Sequence, residues 1–428
     1  MLEFMNNLSG NKPLILVISH VIPYPPAAGN EIRILNKLQM LQEFGFGVIL
    51  LINQEFVSDD IKSKLNLLFE HVHLISEDYN IESIPKFEPN LTFGLLLCDF
   101  LKKISISRFL PTSFCENIQK KAEIKKWFAS DRLINATKSL YSEYQPVAVM
   151  VEYIFTSPCL KVIPKGTLKI IDTHDMFSRR KEQVVKHGID DLLSISRREE
   201  RRYLLNADLI LAIQSHEAKM FQQLVPELDV ITVGIDFDII PKPDKSEVVP
   251  GRILIIGSDN PLNIHGLKEF YSYAWPEIKS KLPGATLCIA GKLANGLKTN
   301  DQQVFLMGWV KDLSEEYEKA AVVVNPTVAG TGLKIKSAEA LCYGKALIST
   351  PNGVEGLISD DPEVPCVIAH DWSGFANSVV TILQSEEKRV NLEKRALKFA
   401  AENLGKEIVY LELKEKLQRF FNQVNQPF

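Results

Sequence analysis

One run constrains this chain more than any other: Asn325 to Leu357, NPTVAGTGLKIKSAEALCYGKALISTPNGVEGL. It reads as a buried strand ending at Asn325-Pro326, then a glycine-rich turn, Gly330-Thr331-Gly332. An amphipathic helix is predicted from about Leu333 to Tyr343, closing on Gly344, and a second strand, Ala346–Thr350, runs into a loop at Asn352-Gly353. A glycine turn that opens a helix presents free backbone N–H groups and the positive end of the helix dipole. Lys334 and Lys336 fall in that first turn, so the segment is expected to hold an anion, and a diphosphate suits it. Glu339, one turn further on, is placed to accept hydrogen bonds from ribose hydroxyls. The run reads as a pocket for a nucleotide sugar.

The rest of the chain supplies two α/β halves. At 428 residues it has length for two domains with large cores. In the first half, PLILVIS (Pro13–Ser19) is a buried strand, HVIPYPPAAGN a proline-rich loop, Glu31–Phe44 a helix and Val48–Ile52 a second strand. This βαβ order opens a doubly wound sheet. HVHLIS (His71–Ser76), VAVMVE (Val147–Glu152), LKIID (Leu168–Asp172), Ala207–Ile213 and Ile231–Asp238 read as further strands. Pro241 to Pro250 is polar and proline-rich, a linker. A second set begins at RILIIG (Arg252–Gly257) and continues with a helix over 266–280 and strands at Thr286–Ala290 and Val304–Met307; the chain is helical from about Ser373.

Net charge is −4, too mild to point to nucleic acid. It is uneven: residues 101–202 hold 20 Lys and Arg against 12 Asp and Glu. A basic patch on the first half suits an anionic acceptor or a membrane surface. So does the apolar run LTFGLLLCDFLKKISISRFL beside Lys102, Lys103 and Arg108. No apolar run approaches the ~20 residues of a spanning helix, and no signal peptide is seen. The six cysteines show no paired spacing and no C-x-x-C, which fits reduced thiols. A cytoplasmic protein, with contact at the inner face of the membrane, is the expectation.

The order of parts in the 325–357 run resembles the donor-binding signature of the retaining, family-four (group 1) glycosyltransferases, with Gly330, Gly332, Lys336, Glu339-Ala340, Gly344-Lys345-Ala346 and Gly353 to Gly356 as the matching residues. The likeness extends along most of the chain, through Gly29, Asn30 and Arg33, the D-T-H-D at 172–175, A-D-x-I-x-A-I at 207–213 and V-G-I-D at 233–236. It implies the GT-B fold, α/β, two Rossmann-like domains facing each other across a cleft: an acceptor-side domain over 1–240, a donor domain over 251–405 and a helix over 406–428 crossing back to the first.

The resemblance also implies roles. A nucleotide-diphosphate sugar is the co-substrate, with Gly29, Asn30, Gly257, Ser258, Gly308, Trp309, Val310, Gly330, Thr331, Gly332, Leu333, Lys334, Lys336 and Glu339 around it. His174 and Asp175 are placed at the donor sugar as catalytic candidates, and Arg33 and Glu152 at the acceptor. The acceptor is a glycan, a lipid-linked glycan or a protein-linked one, not nucleic acid. Fixed cations and amides aimed at the leaving diphosphate make a metal unnecessary, and no cofactor is expected. The one D-x-D, Asp236-Phe237-Asp238, sits beside the linker and reads as structural.

Two departures from the family pattern matter. Ser258 and His265-Gly266 stand where many relatives have Gly-Arg and Lys-Gly, which shifts the phosphate contact toward Lys334 and Lys336. Eight positions before Glu339, where many relatives carry a first glutamate, this chain has Thr331. These departures motivate a rival reading, a non-catalytic GT-B subunit that binds a partner enzyme or acceptor. A third is another GT-B activity, such as sugar-phosphate processing.

Overall fold

The computed structural model describes residues 12–26, 28–54, 57–75, 128–186, 195–239, 247–357 and 364–424. The apolar run beside Lys102 and Lys103, and Cys98 and Cys115, lie outside them. Among the described residues, thirteen strands form two parallel sheets. The first holds β1 (Leu14–Ser19), β2 (Gly47–Ile52), β3 (His71–Leu74), β4 (Ala148–Glu152), β5 (Leu168–Asp172), β6 (Leu209–Ala212) and β7 (Asp229–Thr232), in the order β3-β2-β1-β4-β5-β6-β7. The second holds β8 (Arg252–Ile256), β9 (Thr286–Ala290), β10 (Val304–Gly308), β11 (Val322–Asn325), β12 (Leu347–Ser349) and β13 (Cys366–Ile368), in the order β10-β9-β8-β11-β12-β13.

Both sheets are covered on both faces, which is why their strands read as continuous apolar runs. Alternate residues feed opposite layers: Ile15, Val17, Val48 and Leu50 go to one side of the first sheet, Leu16, Ile18, Ile49 and Leu51 to the other. Ile253 and Ile255 likewise part from Leu254 and Ile256 in the second. In each sheet the strand order reverses once, between β1 and β4 and between β8 and β11. Open α/β sheets bind ligands outside the carboxyl ends of the strands at such a switch point.

The C-terminal segment returns to the first domain. Val409, Tyr410, Leu413, Leu417 and Phe421 are buried in the same apolar layer as β1 and β2. Tyr410 donates its hydroxyl to Asp236 Oδ1 at 2.7 Å, and Asn36 Nδ2 donates to the same oxygen at 3.1 Å. Asp236 thus anchors the returning chain.

Three elements differ from expectation. The strand expected over Ile231–Asp238 ends at Thr232, because the carbonyls of Val233 and Gly234 turn aside to accept from Arg33. The helix expected over 266–280 starts at Pro261, where Asn260 caps it by accepting from Asn263 N at 2.9 Å, and passes through a π turn at Phe270–Ala274 before Trp275–Lys281. The edge strand β13 was not expected; three residues are too few to carry a periodic signal. No helix among the described residues is long and apolar enough to cross a membrane.

Candidate functional site

The carboxyl ends of the two sheets face a cleft of about 670 Å³. His20, Tyr153, His174 and Asp175 line it from the first domain, Thr331 and Gly332 from the second. Each follows a strand or a strand-to-helix turn, where the backbone leaves the sheet and side chains project past its edge.

Beneath the first-domain wall lies a buried charge cluster. Helix Gly29–Glu43 turns Arg33 and Lys37, one turn apart, toward the sheet. Arg33 Nη1 pairs with Asp172 Oδ1 at 2.6 Å, and Lys37 Nζ with Glu152 Oε1 at 2.7 Å and with Asp172 Oδ2. All four residues are fully buried. Burial alone would raise Asp172, but the Arg33 and Lys37 charges more than reverse this and hold it well below the usual carboxylate range. Glu152 is lowered for the same reason, burial opposing and Lys37 prevailing. Glu152, Asp172 and His174 are ligand types for a metal, and their donor atoms lie within 4.8 Å of one another. The Lys37 ammonium bonds both carboxylates, so a dication would have to displace it.

His174 closes this cluster. Burial, the largest cause, lowers its pKa, so the imidazole is neutral. Its Nε2 lies 2.7 Å from Glu152 Oε2 and its Nδ1 lies 3.2 Å from Arg33 Nη1. A carboxylate only accepts and a guanidinium only donates, so the tautomer is Nε2–H. The ring also stacks on Tyr153, with centroids 4.1 Å apart and planes 8° apart.

Three of the expected site residues are engaged within the protein. Both imidazole nitrogens of His174 are committed to protein partners, so the side chain is not free for a sugar hydroxyl. With φ at 58°, His174 instead turns its backbone carbonyl toward Gly332 of the other domain. Arg33, which lines the cleft, and Glu152, buried behind it, pair their charges with Asp172, Lys37 and His174.

Asp175 does reach the cleft. Its Oδ1 accepts from the Thr331 hydroxyl across the domains, and its Oδ2 accepts from Arg180 Nη1 at 3.0 Å. A Cβ on Gly29 would collide with Ile335, so glycine there lets the two domains approach, while Asn30 Nδ2 donates to Tyr153 OH at 3.1 Å.

The glycine turn also differs from the expected nest of amides. Gly330 and Gly332 have φ of 117° and 76°, and the turn directs carbonyls inward. Lys334 Nζ donates to the carbonyls of Gly330, Thr331 and Gly332 at 3.0, 3.1 and 3.2 Å. It is buried, and burial lowers its pKa. The Gly332 N–H donates to Glu217 Oε1 of the first domain at 2.8 Å. The helix therefore starts at Ile335, after Leu333 and Lys334, and Lys334 holds the turn rather than reaching out of it.

Lys336 is the cation that faces outward. It is half-buried and donates to Asn263 Oδ1 at 2.8 Å; Asn263 Nδ2 in turn donates to Ser258 O at 3.2 Å and Oγ at 3.1 Å. This links the turn to the Gly257-Ser258 loop after β8 and to the start of helix Pro261–Glu269. Burial, then the charge of Lys334, pushes the Lys336 ammonium down to about 7. Glu339 accepts from Tyr317 OH at 2.8 Å and is raised by burial; Tyr317 stacks on Tyr343 at 4.2 Å. Gly308 has a φ of 65°, Trp309 beside it is 67% exposed, and Val310 packs on the second domain's core.

Sequence reasoning missed Lys37, Tyr153, Arg179 and Glu217; Glu355 was read as part of the glycine loop but not as an ion-pair partner. Arg179 pairs with Glu355 across the domains at 2.5 Å. Lys37 had a signal: it sits one turn from Arg33 in a helix whose Ile34, Leu38 and Leu41 go inward. Glu217 and Arg179 had none, since only the approach of the second domain gives them partners.

Residues 250–385, the second domain, match the family described as Glycosyl transferases group 1. Over 413 residues the chain is 22% identical to an uncharacterised 44.6 kDa protein in the cps region of Klebsiella pneumoniae, covering 92% of this chain and 97% of that one. Among solved structures, Anabaena HepE in complex with UDP and glucose superimposes with a TM-score of 0.63 at 14% identity, over 95% of this chain and 100% of HepE. TarM gives 0.64 at 10% identity, over 97% and 99%. The pneumococcal O-GlcNAc transferase GtfA, in complex with UDP and GlcNAc, gives 0.63 at 11% identity, over 97% and 100%. The fold is GT-B.

Proposed function

We propose that this protein is a glycosyltransferase that moves a sugar from a nucleotide-diphosphate sugar to a hydroxyl of a glycan, glycolipid or protein-linked glycan, with retention at the anomeric carbon and without a metal. One observation carries the reading. In the domain that matches group 1 glycosyltransferases, the glycine turn lines the cleft at Thr331 and Gly332 opposite Asp175 of a second Rossmann-like domain, and Lys336 and Glu339 follow it on helix Ile335–Cys342.

In this reading the nucleotide lies on the second domain. Its base reaches the Gly308–Val310 backbone, its ribose Glu339, and its diphosphate Lys336, Ser258 and the start of helix Pro261–Glu269. Breaking the bond from the anomeric carbon to the diphosphate oxygen leaves negative charge on the diphosphate, and a cation already in place stabilises that charge without reorganisation. The acceptor oxygen bonds to the anomeric carbon, and its proton leaves to a diphosphate oxygen on the same face. His174 contributes shape: its fixed ring and carbonyl form part of the wall against which the sugar sits. HepE and GtfA were both solved with UDP, so UDP is the first nucleotide to try; their sugars differ.

The test is a calorimetric titration of the protein with UDP, GDP, ADP and their sugars. Binding of one of them at micromolar strength, about 8 kcal/mol, is expected, with turnover unaltered by EDTA. Loss of turnover in EDTA, restored by manganese, would overturn the metal-free part alone. Lys334 and the Gly332 amide are already committed within the protein, which favours the second reading, a silent GT-B subunit. Failure of every nucleotide to bind would select it.

A further inference from the structure

The glycine turn belongs to the second domain, yet the first completes its hydrogen bonds. Glu217 comes from helix Ser215–Leu224 and is fully buried. Its Oε1 accepts from Gly332 N at 2.8 Å, and its Oε2 is buried with no hydrogen-bond partner among the described residues. A carboxylate in that position would leave half of a charge-bearing group buried without a protein donor. A neutral acid makes the same bond to Gly332 at lower cost.

We propose that Glu217 is a positioning residue that works as an uncharged carboxylic acid, fixing the Gly330–Gly332 turn in shape for the donor when the two domains are closed. The inference rests on the donor site proposed above. The groups that face Glu217 are Asp175 at the end of β5, Arg179 on helix Phe177–Lys186, and Lys334 in the turn itself. Burial, and next the negative charge of Asp175, push Glu217 up to about 8, against smaller opposing effects of the Gly332 bond, Lys334 and Arg179. Above that pH a second buried negative charge stands beside Asp175, next to a turn that is to receive a dianionic ligand. Donor affinity and domain closure then weaken together.

The experiment has two arms. In the first, UDP is titrated into the wild type, Glu217→Gln and Glu217→Ala at pH 6.5 and 9.5. Gln keeps the acceptor oxygen and cannot ionise, so it binds like the wild type at pH 6.5 and at least tenfold tighter at pH 9.5. Lys336 also titrates in this range but does so in both proteins, so the difference between their curves isolates Glu217. Ala leaves the Gly332 amide without an acceptor and weakens UDP at least tenfold at pH 6.5. Superimposed wild-type and Gln curves would overturn the proposal. The second arm needs no ligand, so it still decides if UDP does not bind and the donor reading itself fails. A carboxyl raised in the folded state loses stability as pH climbs from its unfolded value to its folded one. The melting temperature of Glu217→Gln minus that of the wild type therefore grows between about pH 4.5 and 8 and is flat above. A difference constant across that window would overturn the proposal.

Discussion

The two walls of the cleft handle charge in opposite ways. Under the first-domain wall, Arg33 and Lys37 meet Asp172 and Glu152 in pairs, and His174 closes the set as a neutral ring. Every charge there has an opposite charge from the same domain. On the second-domain wall, Lys334 and Lys336 stand two residues apart, both lowered by burial, and among the described residues Lys336 donates to a neutral amide, that of Asn263. The first wall is complete without a ligand and acts as a rigid platform. On the second, Lys334 feels the carboxylates of Glu355, Asp175 and Glu217, two of them from the other domain, while Lys336 is held by an amide. Position in a cleft does not tell a structural charge from a functional one; the source of its neutralising partner does.

Removing a partner from each wall should therefore give different losses. The largest effect is expected for Lys37→Met, which leaves Glu152 and Asp172 buried with one cation fewer: a drop of about 3–5 kcal/mol in unfolding free energy by denaturant titration. A loss under 1 kcal/mol would show that water enters the cluster and that the platform is not rigid. Lys336→Ala should do the reverse, leaving the melting temperature unchanged or higher while weakening nucleotide binding about 100-fold, about 2.7 kcal/mol. Equal affinity in both proteins would remove the contrast. Tyr410→Phe takes one donor from Asp236, which keeps Asn36, and should cost about 1 kcal/mol.

The smallest effect is the most specific to the second wall. Lys336 at about 7 is half protonated at pH 7 in the free protein, and a bound diphosphate returns it toward its ordinary value. Binding at pH 7 should then take up about half a proton, read as a dependence of calorimetric heat on the buffer's ionisation enthalpy. Affinity falls as pH rises above 7, and uptake vanishes below about pH 6, where the ammonium is already charged. Heats independent of buffer at pH 7 would show that Lys336 is not at the anion.

Much of the fold was legible because parallel strands buried on both faces are short apolar runs between turn residues. Leu168–Asp172 and Thr286–Ala290 were read to the residue. The site was less legible. The 325–357 run announced a turn with two lysines, but not which way the turn's carbonyls point, and that decides that Lys334 is a brace and Lys336 the outward cation. His174 and Asp175 were found by their place after a strand. Apart from the Asp175–Arg180 pair, their side-chain hydrogen bonds depend on residues 22 to 156 positions away, and local sequence carries no trace of such distances. The ion pairs of Arg33 and Glu152 were hidden for a related reason: a charged residue in a helix or at a strand end does not announce its buried counter-charge.

The route of the chain has a mechanical consequence. It passes from the first domain to the second after Ile239 and comes back after Gly405, and the two crossings are tied together where Phe237 N donates to Leu404 O at 3.3 Å and Tyr410 holds Asp236. A single tether would let one body swing and twist about a point. Two crossings held side by side oppose twisting of one half on the other, so the hinge resists more kinds of motion than one strand of chain would.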